Sequence, residues 1–284
     1  MKDAIRSAAE QLAAAGVESA EHDARALAMH VLGLSKPSDL LLADGFDAAQ
    51  AAAYVELVDR RAKRVPLQHL TGSVGFRYIS LEVGPGVFVP RPETESVVQW
   101  AVDAIAREGW RAPLLADLCT GSGTIAFALA NEVPGATVHA VERDPDALAW
   151  TRRNAANRVA AGDPEVQLHL GSVEDSLLDR DGQFDLVASN PPYVATSEAH
   201  IPDPEVIDHD PQIALFAGED GLDVVRLVET VARRLLKRGG LVVVEHSDRQ
   251  GRSAPAVFSQ AGWLEVEDHP DLTGRDRYVT ARKP

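Results

Sequence analysis

The sequence has one cysteine, Cys119, among 284 residues. That excludes an intrachain disulfide and a multi-cysteine zinc site, and it fits a reducing compartment. Long apolar runs are also missing. The longest stretch without a charged residue is Leu118 to Asn131, 14 residues interrupted by two glycines, too short and too broken to span a bilayer. The opening residues, Met1-Lys2-Asp3-Ala4-Ile5-Arg6, hold no apolar signal-peptide core, so a cytoplasmic protein without a membrane partner is expected. Positive charge is scarce: 28 Lys and Arg face 43 Asp and Glu, a formal net charge of −15. A surface of that sign repels a phosphate backbone, so no direct nucleic-acid partner is expected. No internal repeat or low-complexity tract is present.

What is there falls into three segments. Residues 1–73 read as a small all-α domain. Ala24, Leu27, Ala28, Val31 and Leu32 follow helical spacing, and Gly33 is suited to end that helix in a left-handed conformation. Ser35-Lys36-Pro37 reads as the start of another helix. Asp47 and Gln50 form a capping-box pattern that opens a helix running to about Arg64, with Pro66 beyond it. Residues 74–93, punctuated by glycine and proline around Tyr78-Ile79-Ser80-Leu81-Glu82-Val83, read as a β-hairpin linker. Residues 94–284 alternate helical stretches with apolar runs at Leu114–Leu118, Thr137–Val141, Val166–Leu170, Phe184–Ser189 and Leu241–Val244. Continuous apolar runs of this kind are buried parallel strands, and the alternation implies a doubly wound, Rossmann-like α/β sheet. Trp263–Val266 and Tyr278–Ala281 are expected to form an antiparallel edge. Residues 1–75 carry 8 basic and 10 acidic groups, so most of the excess acidity belongs to the α/β domain.

Two loops carry chemistry. Asp117-Leu118-Cys119-Thr120-Gly121-Ser122-Gly123 lies where the first parallel strand gives way to a helix. Gly121 and Gly123 permit a close backbone approach to a ligand, and the helix N-terminus beyond favours a polar or anionic group. Glu142 ends the second strand, 19 residues after Gly123, where an acid can accept hydrogen bonds from the two hydroxyls of a ribose. Gly121-Ser122-Gly123-Thr124-Ile125-Ala126 also fits the dinucleotide pattern, so this loop indicates an adenosine-containing ligand without choosing one. The second loop, Asn190-Pro191-Pro192-Tyr193, follows the fourth strand. The prolines stiffen the backbone and leave the Pro191 carbonyl as a free acceptor, and Asn190 adds a second. Two fixed acceptors can hold the hydrogens of an NH2 group, and Tyr193 offers a flat face for a planar amide or base. That arrangement suits alkylation of a planar nitrogen and has no evident use in hydride transfer.

With those residues in view, the chain resembles the class I S-adenosylmethionine-dependent methyltransferases with an NPPY motif, and more narrowly the HemK/PrmC family of glutamine-N5 methyltransferases. The narrower resemblance also rests on Phe88-Val89-Pro90-Arg91-Pro92-Glu93-Thr94-Glu95. It rests further on Asp210-Pro211 with Ala214-Leu215-Phe216-Ala217-Gly218-Glu219-Asp220-Gly221-Leu222, on Asp271-Leu272-Thr273-Gly274-Arg275-Asp276-Arg277, and on the helical N-terminal domain, which is similar to the family's substrate-binding domain. The resemblance implies a Rossmann-like methyltransferase fold and S-adenosyl-L-methionine as cofactor. It implies cofactor contacts from Cys119, Thr120, Gly121, Ser122, Gly123, Glu142 and Asn190. Asn190, Pro191, Pro192 and Tyr193 would hold the substrate glutamine, with Asn190, Pro191 and Tyr193 catalytic. The substrates implied are peptide chain release factors 1 and 2, modified at the Gly-Gly-Gln glutamine; nothing in the sequence demands a dimer, and a monomer is expected. Two positions depart from the family's pattern: Cys119 stands where a glycine is common, and Val173-Glu174 where an acid and an aromatic residue are common.

Several other features invite a chemical reading. Asp208-His209-Asp210 suggests a metal cluster, but adjacent residues rarely converge on one ion, and a solvated loop without metal is expected. Cys119 has no readable histidine partner and is expected to be a small buried residue. His246, after Glu245, is expected to be structural. Arg60, Arg61, Lys63 and Arg64 lie where they complement a helix C-terminus, or alternatively an acidic partner surface. The rival functions are an adenine-N6 DNA methyltransferase, since NPPY-type loops also serve flipped bases, a nicotinamide-dependent oxidoreductase, and a non-catalytic cofactor-binding regulator. The acidic charge opposes the first, the NPPY loop the second, and the two intact loops the third.

Overall fold

The computed structural model describes residues 1–198 and 203–284. The chain divides into two compact units, Met1–Ser73 with Asp203–His209, and Val74–Pro202 with Asp210–Pro284.

The first unit is helical: α1 (Lys2–Ala14), α2 (Ala20–Leu32), α3 (Ala48–Ala62) and α4 (Leu67–Thr71). Its core gathers Leu12, Leu27, Tyr54, Val58 and Leu70. Gly33 ends α2 at φ 66°, in the left-handed region. Asp47 and Gln50 form the reciprocal capping box that starts α3. The helix expected from Ser35 does not form; the segment makes only a 3-10 turn at Asp39–Leu41. Leu40 is its one buried residue, while Leu41 and Leu42 are exposed, so no apolar stripe holds a longer helix together. Two residues of the basic cluster find acids within the chain. Arg61 Nε donates to Asp23 Oδ2 at 2.7 Å and its Nη1 to Glu205 Oε1 at 2.9 Å, and Arg64 also pairs with Glu205.

The second unit opens with the hairpin β1 (Ser73–Phe76) and β2 (Ile79–Glu82), then α5 (Thr94–Glu108). Strands β3 (Leu114–Leu118), β4 (Thr137–Glu142), β5 (Gln167–Leu170) and β6 (Phe184–Ser189) follow, with α6 (Thr124–Glu132) and α7 (Pro145–Ala160) between them. A short helix, α8 (Pro204–His209), belongs to the first unit. The chain ends with α9 (Asp223–Leu235), β7 (Leu236–Glu245), α10 (Ser253–Gln260), β8 (Leu264–Pro270) and β9 (Asp276–Arg282). The strand order is β5-β4-β3-β6-β7-β9-β8. The first five strands in that order run parallel, and β9 pairs antiparallel with both β7 and β8, so the expected edge is present.

Alternation within the strands builds two cores. Leu186, Ala188, Leu241 and Val243 join the face covered by α5 and α6. Val187, Val242 and Val244 join the face covered by α9 and α10. Successive side chains point to opposite faces, so Asn190 and Glu245, the next residues in the first series, fall on the α5 side. After β5 the chain returns to add β6 on the other side of β3. The order reverses between β3 and β6, and a crevice at the carboxyl ends of such strands is where doubly wound sheets bind ligands. Asp210 is buried and pairs with Arg91 at 2.6 Å. The stretch Asp208-His209-Asp210 is therefore not a solvated loop: its first two residues close α8, and the third is held by a cation.

Candidate active site

The glycine loop leaves β3 at the reversal point and is held from several sides. Thr120 N donates to Val141 O at 3.0 Å, Thr151 Oγ1 to Gly121 O at 2.6 Å and Asn154 Nδ2 to Ser122 O at 3.0 Å. The two glycines serve different ends. Gly121 has φ +57°, and a Cβ there would meet nothing within 4 Å, which is the open side a ligand can approach. Gly123 has φ +91°, and its Cβ would meet the Phe127 ring at 2.0 Å. Gly123 is needed for the ring and for the turn that starts α6. Cys119 sits at φ 63°, a conformation that disfavours side chains and explains why glycine suits the position. It is partly exposed, not fully buried as expected, and its desolvation, with the Glu142 and Asp117 charges beside it, pushes the thiol pKa well up.

Two buried acids flank this loop. Asp117 is 1% exposed. Its Oδ2 accepts from Thr120 Oγ1 and from Ala126 N, and among the described residues its Oδ1 has no hydrogen-bond partner. Burial raises its pKa to about 7. A buried carboxylate with an unpaired oxygen is incomplete until a donor or cation reaches it. Glu142, at the end of β4, accepts from Gly121 N and Asp144 N, both at 2.8 Å. One lone pair on each of its oxygens remains for a diol.

The Asn190–Tyr193 loop leaves β6 beside the glycine loop, with Ser189 in register with Leu118. Val194 N donates to Leu215 O and Ala217 N to Val194 O, while Gln250 Nε2 donates to Tyr193 O at 3.2 Å. A Cβ on Gly221 would come within 2.4 Å of Tyr193 O, so glycine is required for that approach. Pro191 is buried, and Asn190, Pro192 and Tyr193 are partly exposed. Among the described residues no donor is bonded to Asn190 Oδ1 or to the Pro191 carbonyl, so both acceptors are free.

Behind this loop lies a buried network that sequence reasoning missed. Asn190 Nδ2 donates to Thr94 Oγ1 at 3.1 Å, and Tyr193 Oη to Glu245 Oε1 at 3.3 Å. Among the described residues Glu245 Oε2 has no hydrogen-bond partner. Burial raises the Glu245 pKa to about 7, against the pull of the Thr94 hydroxyl and of Arg277, and burial also raises the Tyr193 phenol. The two stretches that begin the methyltransferase resemblance and follow its NPPY loop meet at Arg91 and Asp210. Arg277, tied to Asp271 at 3.1 Å, comes from the third. His246 is fully buried, its Nε2 2.8 Å from Asp268 Oδ1 and its Nδ1 2.9 Å from Ser247 O, a structural tie. The only sequence signal for Glu245 was its place at a strand end; for Thr94 it was the segment resemblance.

Taken together, the strand ends at the β3/β6 reversal offer a buried carboxylate with one oxygen unpartnered among the described residues, a strand-end acid suited to a diol, an open glycine face, and two oxygen acceptors free among the described residues next to Tyr193. A profile described as PrmC N-terminal domain matches residues 3–72, and one described as methyltransferase domain matches residues 115–268. The chain is 51% identical over 281 residues to the release factor glutamine methyltransferase of Streptomyces coelicolor, covering 98% of this chain and 96% of that protein. It is 45% identical to the release factor glutamine methyltransferase of Mycolicibacterium smegmatis, covering 100% and 98%. Among solved structures, a 16S rRNA methyltransferase of T. thermophilus aligns with TM-score 0.54 at 20% identity, over 75% of this chain and 50% of that one. A methyltransferase of Pyrococcus furiosus aligns with TM-score 0.52 at 17% identity, over 72% and 88%. Both share the fold.

Proposed function

We propose a reaction from one premise: the chain belongs to the release factor glutamine methyltransferase family. The reaction is transfer of a methyl group from S-adenosyl-L-methionine to the side-chain amide nitrogen of a glutamine in peptide chain release factors. The observation that carries this reading is the Asn190–Tyr193 loop beside the glycine loop at the β3/β6 reversal, with two oxygen acceptors free.

When bound, S-adenosyl-L-methionine supplies an electrophilic methyl group on a sulfonium. We assign its ammonium to Asp117, whose Oδ1 is buried and unpaired, and its ribose hydroxyls to Glu142. We assign the open face of Gly121, with Cys119, Thr120, Ser122 and Gly123, to the rest of the nucleoside and methionine contacts. The substrate amide is a weak nucleophile because its lone pair is delocalised. Asn190 Oδ1 and the Pro191 carbonyl accept from its two N–H groups, turn the nitrogen toward the methyl, and oppose the positive charge that grows there. Tyr193 and Pro192 limit rotation of the amide plane. Aligned approach of this kind contributes about 7–11 kcal/mol in favourable cases.

We further assign the Gly-Gly-Gln glutamine of release factors 1 and 2 as the acceptor, a monomer as the active form, and the cytoplasm as the site of action. The single cysteine and the absence, among the described residues, of a helix long and apolar enough to cross a membrane are consistent with that. The adenine-N6 DNA reading is set aside, because a net charge of −15 opposes a DNA groove. The test is mass spectrometry of a release factor incubated with the protein and S-adenosyl-L-methionine. One methyl on the Gly-Gly-Gln glutamine is expected, and Asn190→Ala should remove most of it while leaving cofactor affinity intact. An unmodified release factor, or an Asn190→Ala variant of normal rate, would overturn the reading.

A further inference from the structure

Asn190 is useful to an incoming amide only in one of its two side-chain orientations. Its carbonyl oxygen must face the substrate and its NH2 must face away. The two ends of an asparagine amide are nearly the same size, so packing does not choose between them; the hydrogen-bond partners do.

The partner on the protein side is Thr94, the first residue of α5, 2% exposed. A hydroxyl can accept from an NH2 or donate to a carbonyl, so Thr94 alone would also tolerate the wrong orientation. What commits it is Glu245, 1% exposed at the end of β7, whose carboxylate the Thr94 hydroxyl faces. An ionised carboxylate only accepts. A Thr94 proton turned to Glu245 leaves the Thr94 lone pairs for Asn190, in keeping with the Asn190 Nδ2 to Thr94 Oγ1 bond at 3.1 Å. Tyr193 reports to the same carboxylate through its Oη at 3.3 Å.

We propose that Thr94 is a positioning residue of the methyl-transfer site: its hydroxyl, committed as a donor to the buried Glu245 carboxylate, locks the Asn190 amide with its carbonyl oxygen toward the substrate. The lock rests on the reaction assigned above. It also makes the site sensitive to protonation. A neutral Glu245 can donate, the Thr94 proton is then free to turn to Asn190, and the acceptor is lost. The groups facing Glu245 are Thr94 and Glu93 at the start of α5, Tyr193 after β6, and Arg277 in β9. Of the charged ones, Arg277 favours the ionised form and Glu93 opposes it.

The experiment uses the full chain, a release factor and S-adenosyl-L-methionine. Thr94→Val keeps the shape and removes the hydroxyl, and is expected to lower kcat roughly 10- to 100-fold, with KM for the release factor and the cofactor Kd unchanged. Thr94→Ser restores the hydroxyl and is expected to restore kcat. Glu245→Gln is expected to flatten the acid limb of the kcat–pH profile, which in the unaltered protein falls as Glu245 takes up its proton. Side-chain amide NMR supplies a readout independent of turnover: the Asn190 NH2 exchanges slowly in the unaltered protein and quickly in Thr94→Val. Normal kcat in Thr94→Val, a Thr94→Ser variant as slow as Thr94→Val, or an unchanged pH profile in Glu245→Gln would each overturn the lock. If Thr94→Val does not fold, the serine variant and the pH profile still decide. An unaltered protein that methylates nothing defeats the assigned reaction instead, and the NMR comparison then tests the lock alone.

Discussion

A methyl group added at Gly123 would enter the Phe127 ring at 2.0 Å and hold a φ of +91°. Overpacking and left-handed strain together cost about 2–5 kcal/mol, so Gly123→Ala should lower the urea midpoint markedly. At Gly121 the added methyl meets open space, and only the backbone term of about 1–2 kcal/mol applies. Gly121→Ala should keep most of the stability and lose cofactor affinity, which isothermal titration would separate from folding. Cys119 tolerates the same left-handed region with a side chain. Its burial holds the thiol neutral, so at mildly alkaline pH iodoacetamide should label it far more slowly in the native protein than in urea, since the thiolate is the reactive form. The spacing of the glycines was legible in the sequence. Their different jobs were not, because Phe127 occupies one Cβ position and nothing occupies the other.

Elements differ in how local their causes are. The start of α3 was legible because a capping box joins residues only three positions apart, Asp47 and Gln50. The end of α2 was legible because a glycine suffices. Helix α8 was not legible, because what secures it lies far away in the chain: Arg61 reaches Glu205 across 144 positions. That arginine is buried between Asp23 and Glu205. Removing it takes the buried arginine from Asp23 and leaves Glu205 to Arg64 alone, and should cost about 3 kcal/mol. Arg61→Ala is thus expected to unfold at clearly lower urea than Lys63→Ala, read by circular dichroism of the full chain. The sequence assigns the cluster to the helix C-terminus or to an acidic partner surface; Arg60 and Arg61 do lie in the last turn of α3, and Arg61 and Arg64 also meet Glu205 of α8.

For the molecule as a whole, the two carboxylates that make the site chemically useful also burden the fold. Burial raises Asp117 from 3.8 and Glu245 from 4.5, each to about 7. A raised carboxylate contributes stability that is present at low pH and lost as pH rises through the folded-state value. Asp117→Asn should therefore gain stability relative to the unaltered protein between about pH 4 and about pH 7, and the gain should level off above that; urea midpoints of both proteins across this range check it. Cofactor should narrow the difference, since a cation beside Asp117 offsets its burial. The sequence by itself determined the helical N-terminal part, the strand–helix alternation, the antiparallel edge and the position of the two loops after β3 and β6, because each is written in residue spacing or in backbone-restricting residues close together in the chain. Only the tertiary structure decided that Asn190 meets Thr94 and that Tyr193 meets Glu245. Those pairings join residues 96 and 52 positions apart, and no local pattern encodes which strand end will lie beside which helix start once the sheet reverses its order.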